Sequence, residues 1–250
     1  ALEEALAQKP EVALFSAGAA VSLEFAPLFA KQGTLVVDNS SAWRKDPDVP
    51  LVVPEINAHT IEKHHKIIAN PNCSTIQMVV VLAPLLHAYG IERLVISTYQ
   101  SVSGSGMKGI EQLEAEQQGR YDTSIAYPHQ IHMNVIPHGG DFDAKGNTSE
   151  EQKLVFETRK ILQSPDIAVT ATVVRVPVIG GHSMSVNVEL QTAFDVEDVR
   201  DLLENSPGIV VQDDPNKSFY PMPLFAHQKD EVFVGRIRRD YSITNGLNLW

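Results

Sequence analysis

A chain of 250 residues, 43% hydrophobic and 20% charged, carries enough apolar side chains for a real core in one large domain or two small ones, which excludes extensive disorder. Its net charge of −11 argues against a nucleic-acid or anionic-membrane surface, though not against a small anionic substrate met by a few local cations. A single cysteine excludes an internal disulfide and fits a reducing, cytoplasmic setting, and the longest apolar stretch falls far short of the ~20 residues that span a bilayer.

The chain opens on Leu2-Glu3-Glu4-Ala5-Leu6, which reads as an amphipathic helix and not as a signal peptide. It closes on Asn248-Leu249-Trp250 inside a strand-like run, so both ends read as cut from a longer protein. Helix 2–8, strand 11–16, helix 21–32, strand 34–38 and strand 67–70 alternate, which implies a parallel α/β sheet. Ligands of such sheets bind beyond the C-terminal strand ends. Three polar turns fall there: Ser16-Ala17-Gly18, Asp38-Asn39-Ser40-Ser41 and Asn70-Pro71-Asn72-Cys73.

The character changes further on. Strand 93–102 and helix 107–118 precede a loop over 119–148 that is rich in Gly, Pro, His and Asn, too apolar and Pro-rich for a bare surface. Helix 150–162, strands 168–178 and 183–192, helix 196–204 and strand 232–239 follow. Runs of strands with few helices between them predict a mostly antiparallel sheet covered by helices on one face. The division falls at residues 73–75, which gives an α/β chain of two parts, 1–73 and 74–250, with Cys73 at their junction, a preferred place for a pocket.

The apolar run Ile67-Ile68-Ala69 enters the turn that holds Cys73, and another, 76–86, leaves it. That pattern predicts strand, tight turn and helix, with the thiol at the helix N-terminus, where unpaired N–H groups and the dipole favour a thiolate. A lone cysteine is as readily a small buried apolar residue. The flanking Pro, Asn, Ser and Thr build a turn rather than a packed core and tip the balance toward a nucleophile.

Such a nucleophile needs a base and a substrate anchor. His182 follows a strand and the pair Gly180-Gly181, and Arg175 lies on that strand, where a fixed guanidinium would hold a carboxylate. On spacing alone, His182 reads as an incidental residue of a structural hairpin. His64-His65 beside Lys63 and Lys66 reads as a solvated face, and His129, His132 and His138 read as loop packing rather than a metal site. Gly104-Ser105-Gly106-Met107-Lys108-Gly109 matches a dinucleotide fingerprint, but no parallel strand follows to complete a βαβ unit. Its glycines instead predict a close approach of backbone to something flat, next to Gln100 and Ser103. Glu150 and Glu151 suit the first turn of a helix, while Lys153 in the same turn and Arg44 after a strand end are cations placed to meet an anion.

Taken together, Ser16-Ala17-Gly18, residues 38–44, Val53-Pro54-Glu55-Ile56-Asn57, residues 70–75 and 98–104, Asn134-Val135-Ile136-Pro137, residues 150–153 and 175–182 resemble, in this order, aspartate-semialdehyde dehydrogenase over essentially the whole chain. The resemblance implies that Cys73 forms a thioester, that His182 is the general acid/base and that Gln100 positions the substrate. It implies Arg175 on the α-carboxylate, Glu150 near the amino group, and Arg44, Lys153 and Asn72 on phosphate. Ser16, Ala17, Gly18, Ser103 and Gly104 would line NADP, and no metal is involved. The implied reaction is NADPH-dependent reductive dephosphorylation of L-4-aspartyl phosphate to the semialdehyde, on the way to lysine, threonine and methionine, by a cytoplasmic homodimer.

Under the resemblance, 1–73 is the remnant of an NADP-binding Rossmann domain with its N-terminal part missing, and 74–250 is an α+β catalytic and dimerisation domain. The family's N-terminal glycine-rich turn and its C-terminal helix have no counterpart, so NADP would bind weakly and residues 1–250 would be inactive in isolation. Three alternatives compete: a related acyl-phosphate reductase of the N-acetyl-glutamyl-phosphate type, a Cys–His hydrolase active without nicotinamide, and an inactive module that dimerises through its sheet.

Overall fold

The computed structural model describes residues 2–121 and 126–250. Helix α1 (Leu2–Ala7), strand β1 (Val12–Phe15), helix α2 (Ala19–Lys31), strand β2 (Leu35–Asp38), the short helix α3 (Pro54–Asn57) and strand β3 (Ile67–Ala69) come first. The three strands pair in parallel in the order β1-β2-β3. Phe15, Ala26, Phe29 and Val36 form a small core between this sheet and α2, with the rings of Phe15 and Phe29 edge to face at 5.4 Å.

Helix α4 (Cys73–Tyr89) is apolar nearly all round, and the run Met78 to Leu85 is buried save for Pro84. A helix of that composition belongs inside a core rather than on a surface. Around it fold strand β4 (Ile91–Ser101), helix α5 (Met107–Gln117), helix α6 (Ser149–Ile161), strands β5 (Ala168–Val176) and β6 (Ser183–Leu190) and helix α7 (Val196–Glu204). Strand β7 (Ile209–Val211), the short helix α8 (Pro223–Ala226), and strands β8 (Val232–Val234), β9 (Arg238–Asp240) and β10 (Gly246–Leu249) complete the chain.

Five strands form one sheet in the order β5-β4-β6-β10-β9, antiparallel except for the β4–β5 pair. Period-two alternation turns Leu94, Ile96, Thr98 and Gln100 of β4 toward α4, α6 and α7 and leaves Arg93, Val95, Ser97 and Tyr99 on the other face. The mostly antiparallel sheet covered on one face is therefore as the sequence predicted.

The single strand expected over 232–239 is two. Its first half, β8, pairs with β7 in a separate two-stranded sheet, and β9 joins the large one. The break is at Arg236, which takes φ 52 and donates its main-chain N–H to the Asp213 carboxylate, as does Ile237. A local carboxylate acceptor thus replaces the ladder.

The register positions the chemistry. Gln100 lies opposite Arg175 on β5, and Tyr99 opposite Ser183 on β6. The end of β4, the end of β5 and the start of β6 thereby converge on the N-terminus of α4.

Candidate active site

Cys73 is the first residue of α4 and reaches solvent. Its Sγ lies 3.2 Å from His182 Nε2. A cavity of about 420 Å³ opens beside the pair, walled by Gln77, Met184, Met222 and Trp250 among others. Asn72 caps the helix, its Oδ1 accepting from Ser74 N at 3.0 Å and Thr75 N at 3.3 Å, which fixes the turn that carries the thiol.

The N–H of Ser74 in the first helical turn does pull the thiol pKa down, as expected, but it is outweighed. Partial desolvation by the surrounding protein, and then the negative Glu150, push the Cys73 thiol up, against smaller opposing pulls from Arg175 and Ser74. His182 moves the other way, down to about 4, because burial and then the Arg175 charge disfavour the imidazolium. At rest the couple is thus a thiol beside a neutral imidazole.

The other expected residues gather here to different degrees. Gln100 is fully buried and donates from Nε2 to Ser74 Oγ at 2.9 Å, while its Oε1 has no hydrogen-bond partner among the described residues. Arg175 is buried and donates from Nη1 to Ser101 O at 3.3 Å. A Cβ built on Gly104 would lie 2.8 Å from both Arg175 Nη1 and His182 Cε1. The flat object that the glycines were expected to approach is therefore the His182 imidazole, and Gly104 is needed there because no side chain fits. Ser103 joins the same corner, its Oγ 2.9 Å from Ser101 Oγ and accepting from Gly180 N at 3.3 Å.

On α6, a capping box between Thr148 and Glu151 sets the first turn, and Glu150 points inward. Glu150 accepts from Asn72 Nδ2 at 2.7 Å and from Lys153 Nζ at 2.5 Å. Burial raises its pKa, but Lys153, Asn72 and Arg175 outweigh that and hold the carboxyl below its ordinary value. Arg44 is buried. Its Nη1 meets Glu157 Oε1 at 3.0 Å, and its Nε and Nη2 bond the main-chain oxygens of Ser40 and Asn39 at 2.9 Å each, so three of its five N–H groups are engaged.

Ser16, Ala17 and Gly18 stand exposed between β1 and α2. Ser16 Oγ accepts from Asn39 Nδ2 at 3.3 Å and Asn70 Nδ2 donates to Asn39 Oδ1 at 2.8 Å, which ties the turns after all three parallel strands into one rim leading to Cys73. Gly18 takes φ 92, with open space beside it. The loop histidines form no metal-binding group among the described residues, and His138 stacks on Phe142 at 4.5 Å. Residues 122–125 of the long loop lie outside the described residues.

Two participants escaped the sequence reading. Glu157 is fully buried and accepts from Asn72 N at 2.6 Å while pairing with Arg44. Its spacing of seven residues from Glu150, two turns of one helix face, was the available signal. Ser101, whose N–H and Oγ each lie 3.0 Å from His182 Nδ1, carried no such signal.

Comparison with known proteins bears on the arrangement. A sequence profile for "Semialdehyde dehydrogenase, NAD binding domain" matches residues 2–64, and one for "Semialdehyde dehydrogenase, dimerisation domain" matches 82–250. An aspartate-semialdehyde dehydrogenase of Aquifex aeolicus is 50% identical over 247 residues, covering 96% of this chain and 73% of the relative. The crystal structure of aspartate semialdehyde dehydrogenase II from Vibrio cholerae complexed with ASA superposes with a TM-score of 0.92 at 44% identity, over 96% of this chain and 73% of that one. A Candida albicans aspartate semialdehyde dehydrogenase with NADP gives 0.74 at 26% identity, over 96% and 72%.

Proposed function

This chain belongs to the aspartate-semialdehyde dehydrogenase family, and on that premise we propose that it performs the NADPH-dependent reductive dephosphorylation of L-4-aspartyl phosphate to L-aspartate 4-semialdehyde. The observation that carries this reading is the 3.2 Å pairing of the Cys73 thiol with His182, ringed by Gln100, Arg175 and Glu150. Cys73, as the thiolate, attacks the acyl carbon, the bond to the phosphate oxygen breaks, and a thioester forms. NADPH, when bound, supplies the hydride. Cys73 then leaves as the thiolate when the tetrahedral adduct collapses to the aldehyde. His182, 3.2 Å from the sulfur, acts as the general acid/base that takes the proton the thiol gives up.

Specificity follows from charge. The buried Arg175 suits the substrate α-carboxylate, and Glu150, held ionised by Lys153 and Asn72, suits the α-ammonium. Lys153, Asn72 and Arg44 would receive phosphate, Arg44 by sharing N–H groups now given to Glu157 and two carbonyls. The open turn Ser16-Ala17-Gly18 at the head of α2 fits a dinucleotide, with Ser103 and Gly104 on the His182 side. NADP rather than NAD, residues 1–73 as its binding part, residues 74–250 as the catalytic and dimerisation part, and a product bound for lysine, threonine and methionine complete the reading. A free thiol nucleophile suits a reducing, cytoplasmic compartment, and no helix among the described residues is long and apolar enough to cross a membrane.

The test is NADPH oxidation with β-aspartyl phosphate, followed by absorbance, on the whole protein as the cell makes it. Oxidation should depend on that acyl phosphate, release phosphate, and vanish in Cys73→Ala. Oxidation that survives Cys73→Ala would sink the thioester route, and preference for N-acetyl-glutamyl phosphate would reassign the substrate.

A further inference from the structure

Four residues of helix α6, Glu150, Lys153, Glu157 and Lys160, follow one another at spacings of three and four, which puts them on one face of the helix. Lys160 has a target of its own. Its Nζ donates to the main-chain oxygens of Arg44 at 3.0 Å, Asp46 at 2.6 Å and Val49 at 3.0 Å. An ammonium has three N–H groups, so all of them are taken up and none is left for a ligand. A lysine in the last turn suits the helix dipole, but a fully exposed one would serve the dipole as well and would need no partner from another segment. The three carbonyls all belong to the segment 44–49, which carries Arg44. We infer that Lys160 is a positioning residue that closes the segment 44–49 onto α6 and so sets the Arg44 guanidinium at the phosphate subsite.

This rests on the reading above in which Arg44 receives phosphate. The chain between β2 and α3 is irregular, and the bonds inside 44–49 are local. Val49 N donates to Asp46 O at 3.4 Å, the long end of a hydrogen bond, and Asp48 N donates to Asp46 Oδ1 at 2.9 Å. Bonds of that kind shape a turn but do not fix it against the rest of the molecule. Helix α6 does so at three points. Glu157 pairs with the Arg44 guanidinium at 3.0 Å, Phe156 lies under Lys45 with Nζ 5.1 Å from the ring centre, and Lys160 holds the main chain. The first two contacts act on long side chains that can swing. Lys160 acts on the backbone, and one of its acceptors is the carbonyl of Arg44 itself, so it decides where the Arg44 side chain starts. To meet phosphate, Arg44 has to share N–H groups now given to Glu157, Ser40 and Asn39, and it can do so in register only about a fixed Cα. Without the ammonium the three carbonyls lose their common donor, the segment shifts, and the guanidinium meets the phosphate out of line.

The test reads phosphate binding beside the thiol and needs no turnover. On the whole protein as the cell makes it, inorganic phosphate at constant ionic strength should slow iodoacetamide modification of Cys73, followed by the mass of its peptide. Lys160→Met keeps the length of the side chain and removes its donors. It should raise the phosphate concentration for half-protection about tenfold, the loss of part of one charge-assisted contact, while the rate without phosphate stays that of the wild type. Arg44→Ala should raise it at least as much. The double variant should raise it no further than Arg44→Ala alone, because Lys160 acts through Arg44, whereas an unrelated structural loss would add to it. Lys160→Gln, which keeps part of the donor set, should fall between the wild type and Lys160→Met. Unchanged protection in Lys160→Met, or additive effects in the double variant, would overturn the inference and leave the phosphate reading standing. A wild type that phosphate does not protect would overturn that reading and the inference with it. If Lys160→Met does not fold, Lys160→Gln decides, and half-protection at the wild-type concentration overturns the inference.

Discussion

A thiol and an imidazole 3.2 Å apart make a catalytic pair only if neither drifts, and the residue that prevents drift has no side chain. Gly104 leaves the space into which the His182 ring and the Arg175 guanidinium both press. A methyl group there, 2.8 Å from Arg175 Nη1 and from His182 Cε1, has to move one of them. Displacements of about 1 Å near reacting atoms cost about 100-fold in rate. Gly104→Ala should therefore lower kcat/KM for the acyl phosphate by roughly that factor while leaving the urea midpoint nearly unchanged, since the position lies at the rim of the site. Full activity in Gly104→Ala would mean that the ring tolerates a different seat. The raised thiol pKa belongs to the same scale. It makes Cys73 a poor nucleophile at rest, and its reactivity should rise with pH through the thiol range.

At the scale of elements, helix α6 organises the site. Its inward face carries Glu150, Lys153 and Glu157, and two of these grip the same residue from opposite ends: Glu150 takes the Asn72 side-chain amide and Glu157 takes its main-chain N–H. Asn72 in turn caps α4 and fixes the thiol. Burial drives the Glu157 carboxyl pKa up even though Arg44 pulls it down, so this carboxylate is costly to bury and depends on its partners. Glu157→Ala strands Arg44 without its counter-charge and should lose about 3–5 kcal/mol in denaturant unfolding. Thr148→Ala, which breaks only the capping box at the start of the same helix, should lose about 1 kcal/mol. Equal losses in the two variants would contradict the claim that Glu157 is the anchor between α6 and the thiol turn.

At the scale of the molecule, the five-stranded sheet has one face under helices and one whose described side chains are exposed or half-buried. That second face presents Val95, Ser97 and Tyr99 of β4, Thr170, Thr172 and Val174 of β5, and Ser185 and Asn187 of β6. Small and β-branched side chains on a regular sheet suit stacking against a second copy, which is the homodimer proposed here. Val174→Arg on that face should shift sedimentation from dimer to monomer without lowering the unfolding midpoint by more than about 1 kcal/mol. A variant that remains dimeric would move the interface elsewhere, with the exposed Met133, Val135 and Phe142 of the long loop as the next surface to test.

The sequence by itself determined the order and type of most elements, because period-two and period-3.6 patterns are local and survive without knowledge of neighbours. It also placed Cys73 at a helix start, since Asn72 and the turn before it are local signals. It misjudged 232–239, where a carboxylate from Asp213 breaks the strand from outside the window. The tertiary structure alone decided what the thiol feels. Cys73 lies 109 residues from His182, and the buried Glu157 lies 85 from Asn72 and 113 from Arg44, distances along the chain that no spacing rule reaches. The rise in the thiol pKa and the fall in the His182 pKa both follow from desolvation and from the charges of Glu150 and Arg175, which meet the pair only once β4, β5, β6, α4 and α6 have come together.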